Sequence, residues 1–134
     1  LIKPKLEQGI WVISDRFADS SIVYQGYAGD IELDTVLNIH NVVLGEVWPD
    51  LTIILDLPPE LGLERSNKRD TANNSKDTRF EKRELEFHKL LREGFQYLQS
   101  KSPDRICVVD GTKTIEEVEV EVFSIIKKRF VGLM

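Results

Sequence analysis

Cysteine is nearly absent from this sequence: Cys107 is the one thiol in 134 residues, so no internal disulfide can form. It lies inside the apolar run Ile106 to Val109, which predicts a small core filler rather than a reactive thiol. Nothing in the chain requires an oxidising compartment, and the expected location is cytoplasmic. Long apolar runs are missing as well. None approaches the roughly 20 residues that a membrane-spanning helix needs, so no membrane partner is expected. Positive charge is in deficit, with 18 Lys and Arg against 23 Asp and Glu and a net charge of −5. That balance excludes general binding to nucleic-acid backbones. The opening Leu1-Ile2-Lys3-Pro4-Lys5 has neither an initiator methionine nor a signal-peptide pattern, and the chain is expected to start partway through something longer.

What is present describes one globular domain, residues 1–134, with 41% hydrophobic and 31% charged residues. The charge is unevenly spread. Arg65 to Arg92 holds nine Lys or Arg against five acids, while the rest of the chain holds nine against eighteen. A basic island in an acidic protein suits a small, highly anionic ligand such as a nucleoside triphosphate. The competing reading, a solvated helix face of paired charges, covers much of the second half of the island.

The chain alternates apolar runs with amphipathic stretches. Leu1 to Gln8 reads as the end of a helix that Gly9 stops. Ile10 to Ile13 reads as a strand buried on both faces. Asp19 or Ser20 is expected to cap a helix containing Ile22 and Tyr24, and Gly26 and Gly29 mark a loop. Val36, Leu37, His40, Val43, Leu44 and Val47 form the stripe of a helix with Asp34 at its cap. His40 is expected as a packed histidine, since no second His, Cys or carboxylate stands beside it at metal-site spacing. Leu51 to Leu57 is a second strand, and Pro58-Pro59 opens a helix bearing Leu61 and Leu63. Asp70 to Thr78 is expected to be a mobile loop. Phe80, Phe87, Leu91, Phe95 and Leu98 form the stripe of a long helix whose Gly94 suggests close packing. Ser102-Pro103-Asp104 ends it, Arg105 to Val109 is a third strand, and Thr114 with Glu117 makes a capping box. Ile115, Val118, Val122, Ile125 and Ile126 line the last helix. Strands separated by helical crossovers imply an α/β fold with a parallel sheet.

The chemistry concentrates in Ile10 to Tyr27. Ligands of open α/β sheets sit at the carboxyl ends of strands, and there stand Asp15 and Arg16. Asp15 offers a hard oxygen for Mg²⁺, and Arg16 a planar fork of donors for phosphate. The competing reading is a buried ion pair. Asp15-Arg16-Phe17, Ser20-Ser21 and Tyr24-Gln25-Gly26 together resemble the substrate segment of thymidylate kinases. Trp48 to Asp56, Pro59 to Arg65, Arg79-Phe80-Glu81 and Ile106 to Gly111 resemble further segments of that family, so the resemblance runs nearly the whole chain.

The resemblance implies a P-loop nucleoside monophosphate kinase fold, with helices on both faces of the sheet and its N-terminal strands absent here. It implies transfer of the terminal phosphoryl of ATP to dTMP with Mg²⁺, giving dTDP and ADP in dTTP synthesis, by a homodimer. Arg16 would bind the dTMP phosphate, Asp15 would serve the metal and phosphate end, and Ser21, with Ser20, would face the thymine edge. Tyr24 would pack on the sugar and Gln25 would assist near the base. The lid would span about residues 65–80, with Arg65 and Arg69 stabilising charge on the transferred phosphoryl. Asp110, Gly111 and Thr112 would lie near the adenine. The family's Gly-x-x-x-x-Gly-Lys-Ser/Thr loop is nowhere in this chain, so the chain is expected to be a C-terminal part, inactive alone. The alternatives are a non-catalytic nucleotide-binding or dimerising remnant and a related monophosphate kinase with another acceptor.

Overall fold

The computed structural model describes residues 1–69 and 78–131, with the backbone alone for 66–69 and 78–83. Contacts divide the chain into two units, Leu1–Pro49 and Asp50–Met134.

The first unit opens with α1 (Lys3–Leu6), a single turn. Gly9, at φ 72°, ends it as the sequence suggested. The Gly9 N–H donates to the Leu6 carbonyl and the Ile10 N–H to the Lys5 carbonyl, the two bonds of a left-handed helix stop. The expected strand at Ile10 to Ile13 does not form, and Ile13 is 94% exposed. An apolar run becomes a strand only where a neighbour takes up its backbone groups. Among the described residues no strand is laid against this one.

Asp15-Arg16 is accordingly a bend rather than a strand end. From it α2 (Ala18–Ser21) runs directly into a π-helical turn, Ile22–Tyr27. Neither Asp19 nor Ser20 caps this helix. Phe17 holds the cap position without a side-chain bond, and Asp19 is buried in the first turn. Gly26, expected in a loop, is buried inside the π turn. Gly29 ends the fold-back: a Cβ there would stand 2.5 Å from the Gln25 carbonyl oxygen, a space only glycine leaves open.

α3 (Leu33–Leu44) packs on the π turn through buried Val36. Its cap is Glu32 rather than Asp34, which falls in the first turn, and Val47 lies beyond its end. Val43 was expected to face inward but is 75% exposed, beside Ile39 and Val42.

The second unit is α/β. β1 (Thr52–Asp56) and β2 (Ile106–Asp110) are parallel, with Thr52 opposite Ile106 and Asp56 opposite Asp110. Two strands are present among the described residues where three were expected. Between them lie α4 (Pro59–Arg69) and α5 (Thr78–Lys101), which pack together; α6 (Ile115–Arg129) follows β2. Ile106 and Val109 are fully buried, and α5 turns Leu91, Gly94 and Leu98 inward at helical spacing. Cys107 is half-buried. The capping box of α6 is formed: the Thr114 Oγ1 accepts the Glu117 N–H at 3.2 Å, and the Glu117 carboxylate accepts the Thr114 N–H at 2.9 Å. Val118, Val122, Ile125 and Ile126 are half-buried along α6, while Ile115 is exposed. Of the expected loop at Asp70 to Thr78 only Thr78, which opens α5, is described, and residues 70–77 of the expected lid lie outside the described residues. Among the described residues no helix is long and apolar enough to cross a membrane.

Candidate active site

In the first unit one open cavity of about 560 Å³ lies between α2, the π turn and α3. Arg16, Ser20, Ser21, Tyr24 and Gln25 all line it. The winding explains why residues four and five apart converge: α2 carries Ser20 and Ser21, and the π turn carries Tyr24 and Gln25 on round the same wall. Ser20, Ser21 and Tyr24 are half-buried, while Arg16 and Gln25 are exposed. Asp15 is exposed and is not part of the lining.

Arg16 is held in an uncommon conformation. Its φ is 68°, in the left-handed region that a residue with a side chain rarely enters. Such strain costs on the order of 1–3 kcal/mol and persists where neighbours over-determine it. Two contacts do so here. The Ser14 hydroxyl donates to the Arg16 carbonyl at 2.8 Å, and the guanidinium sits 5.0 Å from the centre of the Tyr24 ring. The bend thus turns the guanidinium onto the ring that lines the cavity.

The opposite wall was not foreseen as a site. It comes from α3, with Ile39, His40, Val43 and Leu44. The His40 Nδ1 lies 3.0 Å from the Val36 carbonyl oxygen, which can only accept, so Nδ1 carries the proton. The histidine is half-buried and hydrogen-bonded, and it also faces the cavity. Helical periodicity marks such residues as apolar-face positions and carries no signal for the cavity.

A second cluster lies at the carboxyl ends of β1 and β2. Asp56 and Asp110 stand opposite each other in the ladder. The Arg92 guanidinium donates to both Asp56 oxygens at 2.7 Å, holding that carboxyl below the usual carboxylate range, and the ion pair in turn raises the guanidinium's own pKa. The Asp110 carboxylate accepts the Thr112 hydroxyl at 2.7 Å and the Thr112 N–H at 2.9 Å, which lowers its pKa likewise. The Gly111 N–H donates to the Asp56 carbonyl at 2.8 Å, and the Gly111 carbonyl accepts from Arg65 Nη1 at 3.0 Å. Four of the foreseen residues, Arg65, Asp110, Gly111 and Thr112, therefore meet here. Arg69 ends α4, and its side chain lies outside the described residues. Asp110 was expected near the adenine with Gly111 and Thr112, whereas Asp56 and Arg92 were not foreseen as site residues. Asp56 shares the signal that singled out Asp15, an acid closing an apolar run; Arg92 was absorbed into the charged face of a helix.

Comparison with known proteins decides between families. The family model for thymidylate kinase matches residues 1–122. The chain belongs to the thymidylate kinase family. It is 41% identical over 134 residues to the thymidylate kinase of Maridesulfovibrio salexigens, covering 98% of this chain and 62% of the relative. It is 42% identical over 130 residues to that of Nitrobacter winogradskyi, covering 96% and 55%. The crystal structure of thymidylate kinase from Ehrlichia chaffeensis superposes with a TM-score of 0.70 at 30% identity, over 95% of this chain and 55% of that one. This chain thus spans between about half and two thirds of the length of the family members it matches.

Proposed function

We propose that this chain contributes the monophosphate site and part of the ATP site of a dTMP kinase, which transfers the terminal phosphoryl of ATP to dTMP. The observation that carries the reading is the convergence of Arg16, Ser20, Ser21, Tyr24 and Gln25 on one cavity. Its volume of about 560 Å³ is in the range of small-ligand sites. Arg16 grips the dTMP phosphate through its planar fork of donors. Ser21, with Ser20, hydrogen-bonds the thymine edge, Tyr24 packs on the sugar, and Gln25 assists near the base. A phosphate oxygen of dTMP attacks the γ-phosphorus while the bond from that phosphorus to the β–γ bridging oxygen breaks, giving dTDP and ADP. Such chemistry depends on alignment and charge neutralisation. Arg65 and Arg69 supply positive charge at the phosphoryl, and Gly111 with Thr112 borders the adenine. Since the Thr112 hydroxyl and N–H already serve Asp110, that border acts by shape.

Among the described residues no group of three His, Cys, Asp or Glu could enclose a metal ion. One exposed carboxylate, Asp15, fits Mg²⁺ carried largely by phosphates and water. When bound, the ion neutralises charge on the β- and γ-phosphates. The enzyme acts in the cytoplasm, supplying dTDP for dTTP synthesis. It works as a homodimer, a reading supported by the exposed Ile39, Val42 and Val43 on α3.

The test is a phosphoryl-transfer assay on the complete protein with ATP, comparing dTMP with dUMP, dCMP and dGMP. A marked preference for dTMP is expected. Equal turnover of all four, or none, would overturn the reading.

A further inference from the structure

We infer that Asp56 and Arg92 are positioning residues: their pair sets the turn at Gly111–Thr112, and with it Arg65, against the ATP end of the site. The inference rests on the proposed function for the identity of the ligand and goes beyond it in assigning work to two residues that touch no reacting atom.

Asp56 is used twice. Its carboxylate takes two bonds from Arg92 of α5, and its carbonyl takes the Gly111 N–H from the turn after β2. Gly111 then holds Arg65 of α4 through its own carbonyl. One hydrogen-bonded chain therefore joins α5, β1, the turn and α4. The turn is seated closely, since a Cβ on Gly111 would stand 3.0 Å from the Asp56 carbonyl oxygen. A shift of the Asp56 backbone is consequently passed on to the turn.

Adhesion alone does not explain the pair. α5 is already held by buried Leu91 and Leu98, and an apolar pair of similar volume serves adhesion as well as an ion pair does. A bidentate pair fixes an angle as well as a distance, because both planar groups must stay coplanar and parallel. Lysine, with one ammonium, cannot reproduce that. What the geometry secures is orientation at the strand ends, where ligands of this fold class lie.

The experiment uses the complete protein with Arg92→Lys, Arg92→Ala and Asp56→Asn, measuring steady-state constants for both substrates and melting temperature. The expected result is a KM for ATP raised roughly ten-fold, within the range that misplacement on the ångström scale produces. The KM for dTMP should stay unchanged, and Arg92→Lys should not rescue the effect. A lowered melting temperature with an unchanged KM for ATP would overturn the inference and leave a structural pair. Arg92→Lys keeps charge and stem, so it serves if Arg92→Ala does not fold. If the wild type fails to phosphorylate dTMP, the proposed function falls first. Calorimetric titration with MgATP of wild type and Arg92→Lys then decides: equal affinity, or no binding by the wild type, overturns the inference as well.

Discussion

The two units handle charge in opposite ways. In Leu1–Pro49 the ties at the cavity include short ones: Ser14 to Arg16 spans two residues, and His40 to Val36 spans four. One wall of the cavity is a contiguous winding, and its cation, resting on the Tyr24 ring, stays exposed. In Asp50–Met134 the ties at the strand ends are long: Arg92 to Asp56 spans 36 residues and Arg65 to Gly111 spans 46. There Arg92 and Asp56 neutralise each other, while Arg65 meets a backbone carbonyl. A site that receives an anion keeps a cation uncommitted, whereas a site that must hold shape neutralises its charges internally.

Removing the uncommitted cation is the strongest way to break this contrast. Arg16→Ala in the complete protein is expected to raise the KM for dTMP and lower kcat, a combined loss of about 2–4 kcal/mol in transition-state stabilisation. Wild-type kinetics in that variant would reduce Arg16 to a strained structural residue. Ser21→Ala probes the same wall more gently. Leaving a buried polar edge unpaired costs about 1–3 kcal/mol, so the preference for dTMP over dCMP should narrow; an unaltered ratio would remove Ser21 from base recognition.

The second unit is probed by acid. Arg92 lowers the Asp56 pKa, so the pair stabilises the fold fully above the carboxyl's unfolded value of about 3.9. That contribution is lost as pH falls through the lower, folded value. Both side chains are partly exposed, at 36% and 24%, so screening trims the effect to about 1–2 kcal/mol. Urea unfolding of wild type and Asp56→Asn between neutral pH and pH 3 should show the gap between them closing in acid. A gap independent of pH would mean the pair adds nothing through its charge. The smallest expected effect is that of Thr114→Ala, which removes the cap of α6 and should cost about 1 kcal/mol in the same unfolding assay. No change there would show that packing alone sets where α6 begins.

Local sequence determined a good deal of this protein. Thr114 and Glu117 announced the start of α6, Gly9 announced a helix stop, and the apolar runs around Ile53 and Val108 announced two parallel strands. Each signal acts within a few residues, between groups the chain itself keeps close. The residues of one cavity wall were named through the family resemblance, and a segment wound on itself brings positions 16 to 25 onto that wall. Ile10 to Ile13 was misread because a strand is a property of a pair, and apolarity alone does not supply the neighbour. The π winding at Ile22–Tyr27, the left-handed Arg16 and the α3 wall with His40 lay beyond pattern reading, because each depends on what packs against it. Only the tertiary structure joined Arg92 to Asp56 and Arg65 to Gly111. Those partners come from elements far apart along the chain, and the parallel ladder fixes which strand end each one meets.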